Sequence, residues 1–166
     1  LALDASHARA MADLALAVQA KGTPDAYKEA RKLYERSIAV EPGFVRARYN
    51  LAVLLEAMGE TRAAELRYAE VLEARPDHLM AANNLGTIHH AAGSYEAAIR
   101  VYEDALRHAP EAPPLRFNYA LALLAVGRDA DKALELLEEL ALPAPDGNAY
   151  GLRAYQVLQD LKMRGR

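Results

Sequence analysis

Three asparagines, Asn50, Asn84 and Asn118, stand 34 residues apart. A side-chain amide offers both a donor and an acceptor, so a ladder of amides can pair with the backbone of an extended peptide whatever its sequence. The same amides can bond the backbone of an adjacent structural unit and set how units stack, and both readings stay open here. Three net hydrogen bonds at about 0.5–1.5 kcal/mol each amount to roughly 2–4 kcal/mol. Micromolar binding needs about 8 kcal/mol after association costs. Most of the affinity, and the specificity, must then come from buried side chains at roughly 1.5–3 kcal/mol each.

Other chemistry finds little support. His89 and His90 are adjacent on a helical stretch, so they point to different faces and cannot chelate one ion together. His78 and His108 lack an acidic partner four residues on, and His108 near a helix end fits a favourable dipole contact. Packing or surface roles are expected for all four, with no metal site and no cofactor. Glu138 and Glu139 read as a solvated outer face. No Gly-rich phosphate loop and no Ser-His-Asp or Cys-His set can be assembled, so catalysis is not expected.

Composition narrows the class. The 166 residues are 52% hydrophobic and 26% charged, with 9 Tyr, which is the make-up of a well-packed chain and not a disordered one. Ala and Leu dominate the apolar fraction, and both favour helix. A formal net charge of -3 with scattered Arg lacks the basic footprint of nucleic-acid binding. Cysteine is absent, which removes disulfides and thiolate sites and is compatible with any compartment. No apolar run approaches membrane-spanning length; the stretch Met11–Ala20 is interrupted by Asp13 and Gln19 and lacks the flanks of a signal peptide. Because the chain opens at Leu1, a longer parent carrying an upstream signal or anchor is one expectation, and the cytoplasm is the compartment otherwise favoured.

The elements that must position these residues follow the same period. Tyr34, Tyr68 and Tyr102 are 34 apart, as are Pro42, Pro76 and Pro110, and Gly59, Gly93 and Gly127. A fixed period of this size marks a supersecondary unit that cannot bury its apolar face alone, so neighbours stack. Within one unit, Ala82, Leu85, Gly86 and His89 recur at helical spacing, Gly93-Ser94 interrupts, and Ala98, Tyr102 and Ala105 continue before Pro110. Gly93 suits a left-handed helix end, Ser94 an N-cap, and Pro110 a stop. The step from Gly22 to Gly59 is 37, so three extra residues are expected in the turn at Thr23-Pro24-Asp25. Between Pro110 and Pro145 the step is 35, with the extra residue near Arg128–Asp131. Such insertions cost little in a turn.

These columns resemble the tetratricopeptide repeat. Leu14, Leu51, Leu85 and Tyr119 share one site, and Ala15, Ala52, Gly86 and Ala120 the next. Ala30, Ala64, Ala98 and Ala133 share a site of close helix approach, and Tyr34, Tyr68, Tyr102 and Leu137 a large one. The usual bulky aromatic early in each first helix is replaced by Met11, Arg48, Ala82 and Arg116, and Leu55 and His89 stand where Tyr is common. The resemblance implies an all-α fold, a right-handed α-α superhelix of stacked antiparallel helical hairpins, in a single array over residues 1–166. Four repeats are expected at 8–44, 45–78, 79–112 and 113–147. A capping helix at 148–163 would cover the fourth with Ala154, Tyr155, Leu158 and Leu161, leaving Val157 exposed.

In that family the first helix of each pair lines a concave groove. Register then places Arg46, Met80, Tyr49, Asn83 and Phe117 there, beside the column Asn50, Asn84 and Asn118. Val53, Thr87 and Leu121 come next, and then His90. Tyr49, Phe117, Met80, Val53 and Leu121 are the expected apolar anchors. A subclass of the family grips carboxylate tails with groove lysines and arginines, but these columns hold no Lys and only Arg9 and Arg46, so that clamp is not expected. The function implied is a protein-interaction scaffold binding a peptide or protein segment, with no nucleic-acid partner. One alternative is homo-oligomerisation through Leu3, Ala10 and Leu14 at one end or Val157 at the other. Another is a targeting region cut from a larger enzyme such as a glycosyltransferase or a sensor kinase.

Overall fold

A computed structural model describes residues 2–142 and 149–164, with side chains from residue 5 onward. All described secondary structure is helical: α1 (Ala2–Gln19), α2 (Pro24–Val40), α3 (Val45–Ala57), α4 (Thr61–Ala74), α5 (Leu79–Ala91), α6 (Tyr95–Leu106), α7 (Pro113–Val126), α8 (Ala130–Ala141) and α9 (Ala149–Arg164). The expected contributions of Leu3, Pro145, Gly147 and Asn148 fall outside the residues or side chains described. The chain divides into two compact units, residues 1–81 and 82–166.

The turns follow from their residues. Gly22, Gly59, Gly93 and Gly127 all have positive φ, the conformation that ends a helix and that glycine adopts without a Cβ penalty. The extra residue of the fourth hairpin shows as Asp129, held at φ 49 immediately before α8. The three extra residues of the first hairpin behave differently from expectation. Pro24 and Asp25 are helical, Thr23 Oγ1 accepts the Ala26 N–H at 3.2 Å, and α2 reaches 17 residues. Proline is pre-shaped for the first helical position, so the insertion lengthens the helix and not the turn. Ser94 precedes α6 but makes no side-chain capping bond. His78 instead caps α5, its Nδ1 accepting the Ala81 N–H at 3.2 Å.

In the first unit α1 packs on α2, α3 on α4, and α3 also meets α1 and α2. In the second, α7 packs between α6 and α8, and α9 rests on α8 and α7. Alanines at 30, 64, 98 and 133 are fully buried, as are Tyr34, Tyr68, Tyr102 and Leu137. Small residues on one helix receive large ones from the next, which is how close-packed helix pairs fill space. Within its own unit the phenol donates a hydrogen bond from Tyr34 to Gln19 at 3.1 Å, from Tyr68 to Glu56 at 2.9 Å and from Tyr119 to Glu103 at 2.7 Å. Leu14 breaks its column. It is 52% exposed where its equivalent Leu51 is 2% exposed.

α9 covers the fourth hairpin with Gly151, Ala154 and Leu158. Tyr155 does not share in this, being half exposed, while Val157 is half-buried.

Candidate functional site

In the first unit, α3 carries Arg46, Tyr49, Asn50 and Val53 at i, i+3, i+4 and i+7, a single helical face. Arg46 Nη2 lies 2.6 Å from Asp13 on α1, with its guanidinium 5.4 Å from the Phe44 ring centre. The Tyr49 ring stacks against His78 at 4.8 Å and Tyr68 at 5.9 Å. The Tyr34 phenol has its pKa pushed up to about 12, chiefly by burial, with the nearby Asn50 amide acting against that rise. Val53 is half-buried and Met80 is exposed.

In the second unit the face is built by α5 and α7. Asn118 Nδ2 donates to Asn83 Oδ1 at 2.8 Å, and the Thr87 hydroxyl donates to the Asn83 carbonyl one turn back at 2.8 Å. Thr87, His90, Asn118 and Leu121 border a pocket of about 50 Å³, with Tyr102 as its remaining wall. His90 sets its ring edge-on to Tyr95 at 5.0 Å, and its Nε2 is buried without a partner among the described residues. Asn84, one residue from Asn83, is half-buried.

Phe117 requires a correction. Expected as an anchor open to a client, it is only 2% exposed. The Tyr150 ring lies 5.8 Å away and the Arg153 guanidinium 4.6 Å over its face. Both belong to α9, so an aromatic that would face solvent on α7 alone is covered by the last helix. Tyr49 meets His78 in the same manner in the first unit. This column mostly joins each hairpin to the segment C-terminal to it.

Two residues of the site escape the column pattern. Tyr102 is legible in the sequence only as core, yet its ring forms a pocket wall. Gly86 explains why: a Cβ there would lie 2.3 Å from Tyr102 Cε1, so the ring occupies the space of the missing methyl. The signal is present as the one glycine in a column otherwise Ala15, Ala52 and Ala120.

Among the described residues, no group of three or more His, Asp or Glu is placed to hold a metal ion, and no helix is long and apolar enough to cross a membrane. Profiles of the tetratricopeptide repeat match residues 33–65, 54–113 and 89–154, together spanning most of the chain. The chain belongs to the tetratricopeptide repeat family. A search of curated proteins found no match. Among solved structures, a tetratricopeptide repeat protein of Parabacteroides merdae aligns at 16% identity and a TM-score of 0.80, over 96% of this chain and 61% of that one. MamA of Desulfovibrio magneticus RS-1, from its residue 41 to its end, aligns at 17% identity and a TM-score of 0.73, over 95% and 96%. A thermophilic tetratricopeptide repeat protein of Thermus thermophilus aligns at 24% and 0.63, over 91% and 82%. At these identities the likeness is one of fold: the all-α tetratricopeptide solenoid of helical hairpins. Tetratricopeptide repeat proteins are in general non-enzymatic scaffolds for protein partners.

Proposed function

We propose that this tetratricopeptide repeat protein holds a polypeptide segment of its client on the α5–α7 face of the second unit. The observation that carries this reading is the amide pair. The bond from Asn118 Nδ2 to Asn83 Oδ1 uses one donor and one acceptor and leaves the Asn83 amino group and the Asn118 carbonyl oxygen for a bound chain. An extended backbone offers the complementary C=O and N–H. Leu121 beside the pair supplies apolar area, and hydrogen bonds alone would not reach micromolar affinity. The test is selection of peptides from a random 12-residue display library on the purified chain, then titration with the double variant Asn83→Ala/Asn118→Ala. Two lost bonds at about 0.5–1.5 kcal/mol each predict a roughly fivefold to hundredfold weaker complex, whatever the peptide sequence. Unchanged affinity, or protection from hydrogen exchange on a different face, would sink the proposal.

A second reading has its own observation. Leu14 displays at the N-terminal hairpin the side chain that the next hairpin buries at Leu51, and Leu152, Tyr155 and Met163 are exposed on α9. Complementary apolar surfaces at different places on one chain make heterologous contacts between copies. Light scattering over a concentration series reads this directly.

A further inference from the structure

The face that carries the amide pair also carries the pocket of about 50 Å³, bordered by Thr87, His90, Asn118 and Leu121 and walled by Tyr102. The hydrogen-bonding atoms around it are turned elsewhere. Thr87 donates to the Asn83 carbonyl and Asn118 Nδ2 to Asn83 Oδ1, both at 2.8 Å. His90 Nε2 is sealed inside the protein. The phenol end of Tyr102 is seated on α5, where a Cβ at Gly86 would lie 2.3 Å from Cε1 and 2.8 Å from the hydroxyl oxygen. What an entering group meets is therefore mostly carbon. The Asn118 carbonyl oxygen stays available at the edge, and the reading above gives it to a backbone N–H of the bound segment.

Polarity and volume then select the side chain that accompanies that N–H. None of the five lining side chains carries a fixed charge, so a carboxylate or ammonium entering here would lose its water without a counter-charge. A hydroxyl would give up hydrogen bonds to water that these walls do not replace. An apolar cavity of about 150 Å³ holds a benzene ring, so one of about 50 Å³ takes about two or three carbons. The isopropyl group of valine matches that room. Alanine underfills it, and leucine and the aromatic side chains overfill it. Resting on the interaction proposed for this face, we infer that the pocket receives a valine side chain of the bound segment, setting both an apolar requirement and a size ceiling at that position.

The peptides selected from the display library supply the probe. One position should be enriched in Val. In a synthetic copy of the best binder, Val→Ala there weakens binding about five- to fifteenfold through the loss of two buried carbons. Val→Thr keeps the shape but brings in a hydroxyl, and should weaken binding at least about fivefold. Val→Leu and Val→Phe should each weaken it at least about threefold, a ceiling that a flat apolar surface would not impose. Leu121→Ala widens the pocket from one side, and because Leu121 is only half-buried the variant is expected to fold. Its effect is read as a ratio: the Leu peptide should bind this variant at least as well as the Val peptide, reversing the order seen with the wild type. Three results overturn this inference alone in peptides that need the two amides: a preference for Thr or Ser, a steady gain from Ala through Leu to Phe, or the same Val-to-Leu ratio against Leu121→Ala. No binders at all, or binders indifferent to Asn83→Ala/Asn118→Ala, overturn the interaction reading and this inference with it.

Discussion

Replacing Phe117 with alanine separates the two roles this side chain can play. In the structure the ring is buried between α7 and α9, 5.8 Å from Tyr150 and 4.6 Å beneath the Arg153 guanidinium. Truncating a buried Phe costs about 3–5 kcal/mol, from lost transfer energy and the cavity left behind. The edge contacts with Tyr150 and Arg153 belong to that figure and are not added to it, since the aromatic pair and the cation–π contact contribute about 0.5–1.5 kcal/mol each. A conservative Phe117→Leu variant should therefore lose about 1–3 kcal/mol, mostly these ring-specific terms. The assay is urea denaturation together with native-state hydrogen exchange. If α9 bears the loss locally, about 3 kcal/mol raises its opening equilibrium roughly a hundredfold, and amides across 149–164 exchange faster while those of α1 to α4 do not. Detachment of α9 would also lower the denaturant slope, because less surface remains to be exposed on unfolding. A Phe117→Ala protein within about 0.5 kcal/mol of the wild type, with unchanged exchange in α9 and lost peptide binding, would contradict this account and restore Phe117 as a groove anchor.

Two further tests concern pH and assembly. Burial raises the phenol pKa of Tyr34 to about 12, and raises those of Tyr102 and Tyr119, whereas an unfolded tyrosine ionises near pH ~10. The folded state thus holds its protons longer, so stability is full below pH ~10 and falls as pH rises from ~10 toward ~12; Tm against pH should bend there and Tyr34→Phe should flatten the bend, while a level profile contradicts the burial argument. For assembly, mass by light scattering should rise with concentration and Leu14→Glu should remove the rise with a stability change of about 0.5 kcal/mol or less, since Leu14 is already exposed. A concentration-independent monomer refutes the assembly reading.

The features of this protein that depend on local spacing are written in its sequence. Four glycines at helix ends, the alanine column and the tyrosine column specify hairpins because helix periodicity and turn geometry act over a few residues. The amide column is visible there too, and its double meaning with it. Features that arise where separate helices meet needed the packed chain. Phe117 is covered because α9 folds back onto α7, and nothing in the spacing of residue 117 encodes the arrival of Tyr150 and Arg153. Asn50 lies near the Tyr34 phenol, while Asn118 finds Asn83, two outcomes for one column. The pocket at His90 arises from a single missing methyl at Gly86 that lets Tyr102 move. Periodicity reports which side chains share a site, whereas the atoms each one reaches depend on the volume of its neighbours. That volume is set only once the helices are packed.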